Sequence, residues 1–248
     1  MQDYILEICA DSAESAIAAE KGGATRLELC QNLIIGGTTP GPKLFEIVRH
    51  AVEIPVHVLI RPRFGDFCYS DYEMEQIKEE IKMFRELGAD GVVIGVLSPD
   101  GSIDRERMER LLEERGDMSV TLHRAFDVCR DPLKSLQTAK DLGIQTILTS
   151  GQKDSCMEGA DLLRELQKES RGEIQIQAGG GVTPENLEAL FYQTRIRTWH
   201  MSAKTGIESR MEYRNPDVHM GIADISEYKL FQTSEEKVRQ AIDILKRL

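Results

Sequence analysis

Short apolar runs along this chain carry side chains able to do chemistry. Glu7 sits in YILEIC, Glu28 in RLELC, Arg61, Arg63 and Asp66 in IRPRFGDFCY, and His123, Arg124 and Asp127 in HRAFD. Gly179, Gly180 and Gly181 follow Ala178, and Ser202 stands in HMSAK. Carboxylates and an imidazole withdrawn from water are suited to proton transfer near neutral pH, so Glu7, Glu28, His123 and Asp127 are the candidate acid–base groups. Guanidinium groups offer a planar fork of donors for carboxylate or phosphate, which makes Arg61, Arg63 and Arg124, with Asp66 beside them, candidates for holding an anion. A glycine turn running into a helix opened by Pro184 adds backbone N–H groups and a positive dipole end, and Ser202 adds a hydroxyl. The chemistry expected of this set is acid–base work on a small anionic or phosphorylated metabolite. A different account is also open, in which the same charges form a structural salt-bridge network and the protein only binds or scaffolds. Lys204 is the one lysine near a strand end in the matching phase, which disfavours a Schiff-base aldolase.

Such residues need a frame that brings them together. β-rich apolar runs alternate with amphipathic helical patterns throughout, the pattern of a parallel sheet covered by helices. Eight strands are expected, at Tyr4–Cys9, Thr25–Cys30, Val56–Arg61, Gly91–Gly95, Ser119–His123, Thr146–Ser150, Ile174–Ala178 and Thr198–Ser202. Helices fit between them: Ser12–Gly22, Asp71–Leu87 before Gly88, Pro132–Leu142 before Gly143, and one opened by Pro184. Proline just inside a helix start and glycine just past its end fix the phase. The fold class is therefore α/β, a (β/α)8 TIM barrel, with residues 1–248 read as one domain, a length normal for that fold. An open doubly wound sheet is the alternative. Two long connections, Gln31–Pro42 and Ala203–Thr233, stand out among short ones.

Side chains alternate across a strand, so one parity faces the helices and the other the barrel axis. Leu6, Ile8, Leu27 and Leu29 belong to the first set. Glu7, Cys9, Arg26, Glu28, Cys30, His57, Arg61, Thr121, His123, Gln175, Gln177, His200 and Ser202 belong to the second. Barrel interiors are ordinarily Val, Ile and Leu. Charges persist there only when paired, which requires Arg26, Arg61 or Arg124 to neutralise Glu7 and Glu28.

Composition narrows the partners. Lys and Arg total 31 against 42 Asp and Glu, a formal charge of −11, whereas nucleic-acid binding needs a basic face. No apolar run reaches the ~18 residues of a membrane span, and MQDYILEICADS lacks a basic leader. Neither nucleic acid nor membrane is expected as a partner. Five cysteines without C-x-x-C or zinc spacing read as free thiols of the cytoplasm.

The stretches LEICADSAESA, RLELC, GGTTP, IRPRFGDFCYS, HRAFD, LTSGQ and AGGGV, with Met211-Glu-Tyr-Arg-Asn215, resemble the CutC family of copper homeostasis proteins from residue 4 to about residue 215. The resemblance implies a cytoplasmic TIM barrel, a homo-oligomer, and copper(I) as a bound ion. It assigns the family's proposed copper ligands to Cys9 and Cys30, which share inward parity on neighbouring strands. Copper(I) is soft and two thiolates suffice to hold it. No organic cofactor is indicated, so the expected partner is a copper ion or a small anionic metabolite.

Overall fold

The computed structural model describes residues 4–218, 220 and 226–248. Eight parallel strands close into a barrel in sequence order: β1 (Ile5–Ala10), β2 (Arg26–Leu29), β3 (Val56–Leu59), β4 (Gly91–Ile94), β5 (Ser119–Leu122), β6 (Thr146–Thr149), β7 (Gln175–Ala178) and β8 (Thr198–Met201). Pairing of β1 with β8 completes the ring, with Glu7 opposite His200 on one side and Arg26 on the other. The outer layer is α1 (Ala13–Lys21), α2 (Pro42–Ala51), α3 (Asp71–Glu86), α4 (Arg105–Glu113), α5 (Pro132–Asp141), α6 (Ala160–Ser170), α7 (Pro184–Thr194) and α8 (Glu235–Leu245). None of the described helices is long and apolar enough to cross a membrane.

Local chemistry sets these boundaries. Proline opens α2, α5 and α7, where its missing N–H would be unpaired anyway. A reciprocal capping box of Ser70 and Glu73 starts α3, satisfying two orphan donors at once. Six strands end a residue or two earlier than expected, whereas β1 runs on to Ala10 and β7 ends at Ala178 as expected. Cys30, Arg61, His123, Ser150 and Ser202 therefore lie just past the strands, at the start of the loops.

The core lies between sheet and helices. Leu6, Ile8, Leu27, Leu29, Val58, Val92, Ile94, Val120, Leu122, Ile147 and Trp199 are all buried there, and the opposite parity fills the barrel with polar groups: Glu7, Arg26, Glu28, His57, Thr121 and Gln177. Large rings inside a narrow barrel need gaps elsewhere. A Cβ on Gly91 would lie 2.7 Å from the His57 ring, and one on Gly95 would lie 2.6 Å from that of His123.

The connection from Ala203 to Thr233 holds more than a loop. β9 (Lys204–Glu208) and β10 (Lys229–Thr233) pair as an antiparallel ribbon, and the Thr233 N–H returns to Ser15 Oγ on α1 at 3.1 Å. After β2, a 3₁₀ turn at Leu33–Ile35 and a bridge between Gln31 and Thr38 shape the other long connection.

The tight fit of His57 is open to measurement. Gly91→Ala is expected to destabilise the fold by about 1–3 kcal/mol, the usual cost of overpacking, in urea unfolding. Unchanged stability would show that the ring has room to retreat.

Candidate functional site

Strand β1 brings Glu7 to the axis of the barrel, fully buried. Both oxygens of its carboxylate are engaged. Arg26 Nε donates to Oε2 at 2.5 Å, Gln177 Nε2 donates to Oε1 at 2.9 Å, and His200 Nδ1 lies 2.8 Å from Oε1. Burial alone would raise this carboxyl. The Arg26 charge and the His200 hydrogen bond overcome that and hold it well below the usual carboxylate range.

One level higher, Glu28 faces Cys9 across the β1–β2 register. It has no such support, and its Oε2 is buried without a hydrogen-bond partner. Burial, opposed by the His200 charge and reinforced by that of Glu7, pushes Glu28 up to about 7. His200 is the counter-case. Burial works against its charge, but negative charge at Cys9 and Glu28, with side-chain hydrogen bonds to Cys9 and Glu7, raises it well above its ordinary value. Glu7, Glu28 and His200 each present a ligand atom within 4.8 Å of the others.

Above this cluster a cavity of about 500 Å³ opens at the C-terminal ends of the strands. Of the residues nominated from sequence, Cys9, Glu28, Arg61, His123, Arg124, Gly180, Gly181 and Ser202 line it. Its rim carries three cations, Arg124, Lys204 and Lys237, and one carboxylate, Glu185. Arg124 is held by Asp127 at 2.6 Å and Ser150 Oγ at 2.8 Å. Gly180, at φ +85°, packs closely beside Ser150, since a Cβ there would lie 3.0 Å from the Ser150 Cβ. On the same side Thr183 caps α7 and directs that helix's N-terminus toward the opening.

The other nominated residues are placed elsewhere. Glu7 sits beneath the cavity as the centre of the ion cluster. The Asp127 carboxylate is spent on the β6–α6 loop, accepting from Thr149 Oγ1, the Ser150 N–H at 3.0 Å and the Gln152 N–H at 3.2 Å. Arg63 is turned to Glu73 at 2.5 Å and Asp66 at 3.0 Å, away from the cavity. Gly179 packs under Leu148. Arg61 lines the cavity, yet its terminal nitrogens donate to Gly36 O, Gly37 O and Gly65 O at 3.3, 3.1 and 2.9 Å. Cys30 lies behind the wall with its thiol toward Ala10 O at 3.5 Å, packed with Leu59 and Val93. Burial and the nearby charge of Cys9 push that thiol well above its ordinary value.

His200 and Lys237 were not nominated from sequence. The inward parity of His200 signalled it, whereas Lys237 reaches the rim from the first turn of α8 and left no local signal.

A family model for the CutC family matches residues 4–205. A CutC family protein of Porphyromonas gingivalis is 46% identical over 241 residues, covering 97% of each chain. A human protein named as a copper homeostasis protein cutC homolog is 43% identical, covering 99% of this chain and 90% of that one. The crystal structure of a CutC protein from Streptococcus agalactiae superposes with a TM-score of 0.77 at 33% identity, covering 80% of this chain and 98% of that chain.

The ion cluster makes a prediction about pH. Glu7 is depressed below its ordinary 4.5, so its charge contributes stability above that pH and the contribution is lost as pH falls below it. His200 is raised above 6.5, so its contribution is full below that pH and lost as pH rises through the folded-state value. Glu7→Gln is expected to cost about 3–5 kcal/mol at pH 7, because Arg26 and His200 lose their counter-charge, and to flatten the acid limb of the stability profile. A variant as stable as the parent in urea at pH 7 would refute this.

Proposed function

The chain belongs to the CutC family, and on that premise we propose that its barrel mouth binds a small anionic metabolite and moves a proton on it, with Glu28 as the acid–base group. One observation carries the reading: Glu28 is a buried carboxyl with a pKa raised to about 7 and an unsatisfied oxygen, in a cavity whose rim carries three cations against one carboxylate, Glu185. A group with a pKa near the working pH serves well both to take a proton and to return it. Arg124, Lys204, Lys237 and the start of α7 supply local positive potential in a protein of net charge −11. They are the anion's seat. Glu7 sets the charge state of its neighbours, and His200 stands as a cation next to Glu28.

A second reading has its own observation. Cys9, on β1, and Cys30, just past the end of β2, are unlinked and buried, close enough that charge on Cys9 raises Cys30. Soft thiolates suit copper(I) as a bound cargo ion, and the human and mouse relatives are named for copper homeostasis. Cys9 faces the cavity and Cys30 lies behind it, so an ion entering from the mouth meets Cys9 first. The five free thiols suit the reducing cytoplasm.

Millimolar phosphate or sulfate is expected to raise the melting temperature by binding the native state, and Arg124→Ala or Lys204→Ala to cut that rise. A melting temperature indifferent to both anions would remove the anion seat. Incubated with a pool of cell metabolites, the protein is expected to change the retention or mass of an anionic compound, and Glu28→Gln to stop it; an unaltered pool would overturn the enzyme reading. For copper, anaerobic titration against a chromophoric copper(I) chelator should show one ion per chain, lost in the Cys9→Ser, Cys30→Ser double variant. Stoichiometry and affinity unaffected by the substitutions would exclude these two ligands.

A further inference from the structure

Among the described residues, seven buried side-chain nitrogen or oxygen atoms lack a hydrogen-bond partner. Three of the seven belong to residues that line the cavity, and they are not alike: Glu28 Oε2 is an acceptor, while Arg61 Nε and His123 Nε2 are donors. Buried polar groups are nearly always paired, and an unpaired one costs free energy unless something else completes it.

The tautomer of His123 follows from its neighbours. Its Nδ1 accepts from the Ala125 N–H at 3.2 Å, so the proton of the neutral ring is on Nε2. Burial, with the Arg61 charge alongside, brings its pKa down to about 3, which keeps the ring neutral at any physiological pH. Arg61 is fixed just as firmly by its three carbonyl partners, which take both Nη1 hydrogens and one on Nη2 and leave Nε with no partner at all. Both groups rest on one aromatic ring. The guanidinium carbon of Arg61 is 5.1 Å from the centroid of Phe67, and the His123 ring is 4.8 Å from it. Phe67 thus shields a pair of preorganised donors, one cationic and one neutral, in a wall of the cavity.

We propose that Arg61 Nε–H and His123 Nε2–H form a hole for the carbonyl oxygen of the substrate, so that the substrate is an anionic carbonyl compound with a hydrogen on the adjacent carbon. The inference rests on the reading of Glu28 as the acid–base group. Glu28 takes the proton from the carbon beside the carbonyl. The C–H electron pair becomes the new C=C bond, and the carbonyl π pair moves onto oxygen. The two N–H groups hold the developing oxyanion. Return of the proton from Glu28 restores the carbonyl compound, with no oxidant or reductant. Donors placed where charge develops, in a site shielded from water, are the strongest means of stabilising such an intermediate. A neutral imidazole suits the task because it can donate without first giving its proton away. The Phe67 ring has to yield for the oxygen to enter, and it keeps bulk water off the donors otherwise.

The test uses the full chain and three probes: inorganic phosphate, dihydroxyacetone phosphate, and glycerol 3-phosphate, which lacks the carbonyl. The ketose phosphate is expected to raise the melting temperature more than the alcohol, and to exchange its carbon-bound hydrogen with D2O in the presence of protein. His123→Ala is expected to lower that exchange about 100-fold or more and to erase the preference for the carbonyl compound, while the response to phosphate persists. Glu28→Gln should stop exchange yet keep the preference. Arg61→Lys gives a second variant should His123→Ala fail to fold, and it too should weaken the preference. Nitrogen-15 shifts of His123 in the unliganded protein supply a readout free of turnover, with Nε2 protonated and Nδ1 not. The hole is overturned by a ring protonated on Nδ1, or by ketose and alcohol phosphates that bind alike. Failure of all three phosphates to bind would instead take down the anion seat, and this inference with it.

Discussion

One buried carboxylate organises this molecule. Glu7 lies at the seam where β1 meets both β2 and β8, and its ligands come from β2, β7 and β8. A carboxylate withdrawn from water is tolerable only if its lone pairs are filled and its charge is opposed. Four strands must therefore keep a common register for the barrel to close at all. The same charge fixes the state of the neighbours. It helps hold His200 as a cation, and it makes a second negative charge at Glu28 costly, so two glutamates one dipeptide step apart occupy opposite ends of the acidity range. Groups whose environments drive their acidities apart divide the roles of charge support and proton transfer between them.

Much of the frame was legible in the chain. Strict alternation of Leu and Ile with Glu and Arg in β1 and β2 showed which face met the helices, and Pro and Gly punctuation set the helix phase. The ribbon of β9 and β10 was not legible. Lys204–Glu208 and Lys229–Thr233 are largely exposed, so no face of them carries the apolar period that burial imposes. The site was legible in residue type but not in allegiance. Arg63, Asp66 and Asp127 have the chemistry of a binding site, yet Arg63 is paired with Asp66 and with Glu73 on α3, and Asp127 with Arg124 and the loop after β6. Local sequence shows that a group is polar and cannot show which hydrogen bonds it has already made. Cys9 and Cys30 illustrate the effect of register, because the stagger of the barrel sets Cys9 level with Glu28 rather than with Cys30.

The two functional readings occupy one place and differ in hardness. The mouth is built from carboxyl, guanidinium, ammonium and imidazole groups, which favour charged oxygen-rich molecules. The sulfurs lie at its floor and behind its wall, where they favour a soft ion. Cys9 belongs to both settings, since it lines the cavity and also influences His200 and Cys30. A copper ion on Cys9 would sit beside Glu28 and His200, so occupation by copper and occupation by a metabolite would each alter the electrostatics met by the other.

The β9–β10 ribbon bears on how such a protein can vary. Lys204 begins the excursion and Lys237 follows its return, and the Lys237 ammonium donates to Lys204 O at 2.9 Å. The two ends of the excursion are thus clasped at its root, by strand pairing and by that bond. Lengthening a closed loop adds little entropic cost, growing only with the logarithm of its length. The tip of this excursion can therefore lengthen, shorten or change composition over evolutionary time while the cationic rim stays in place.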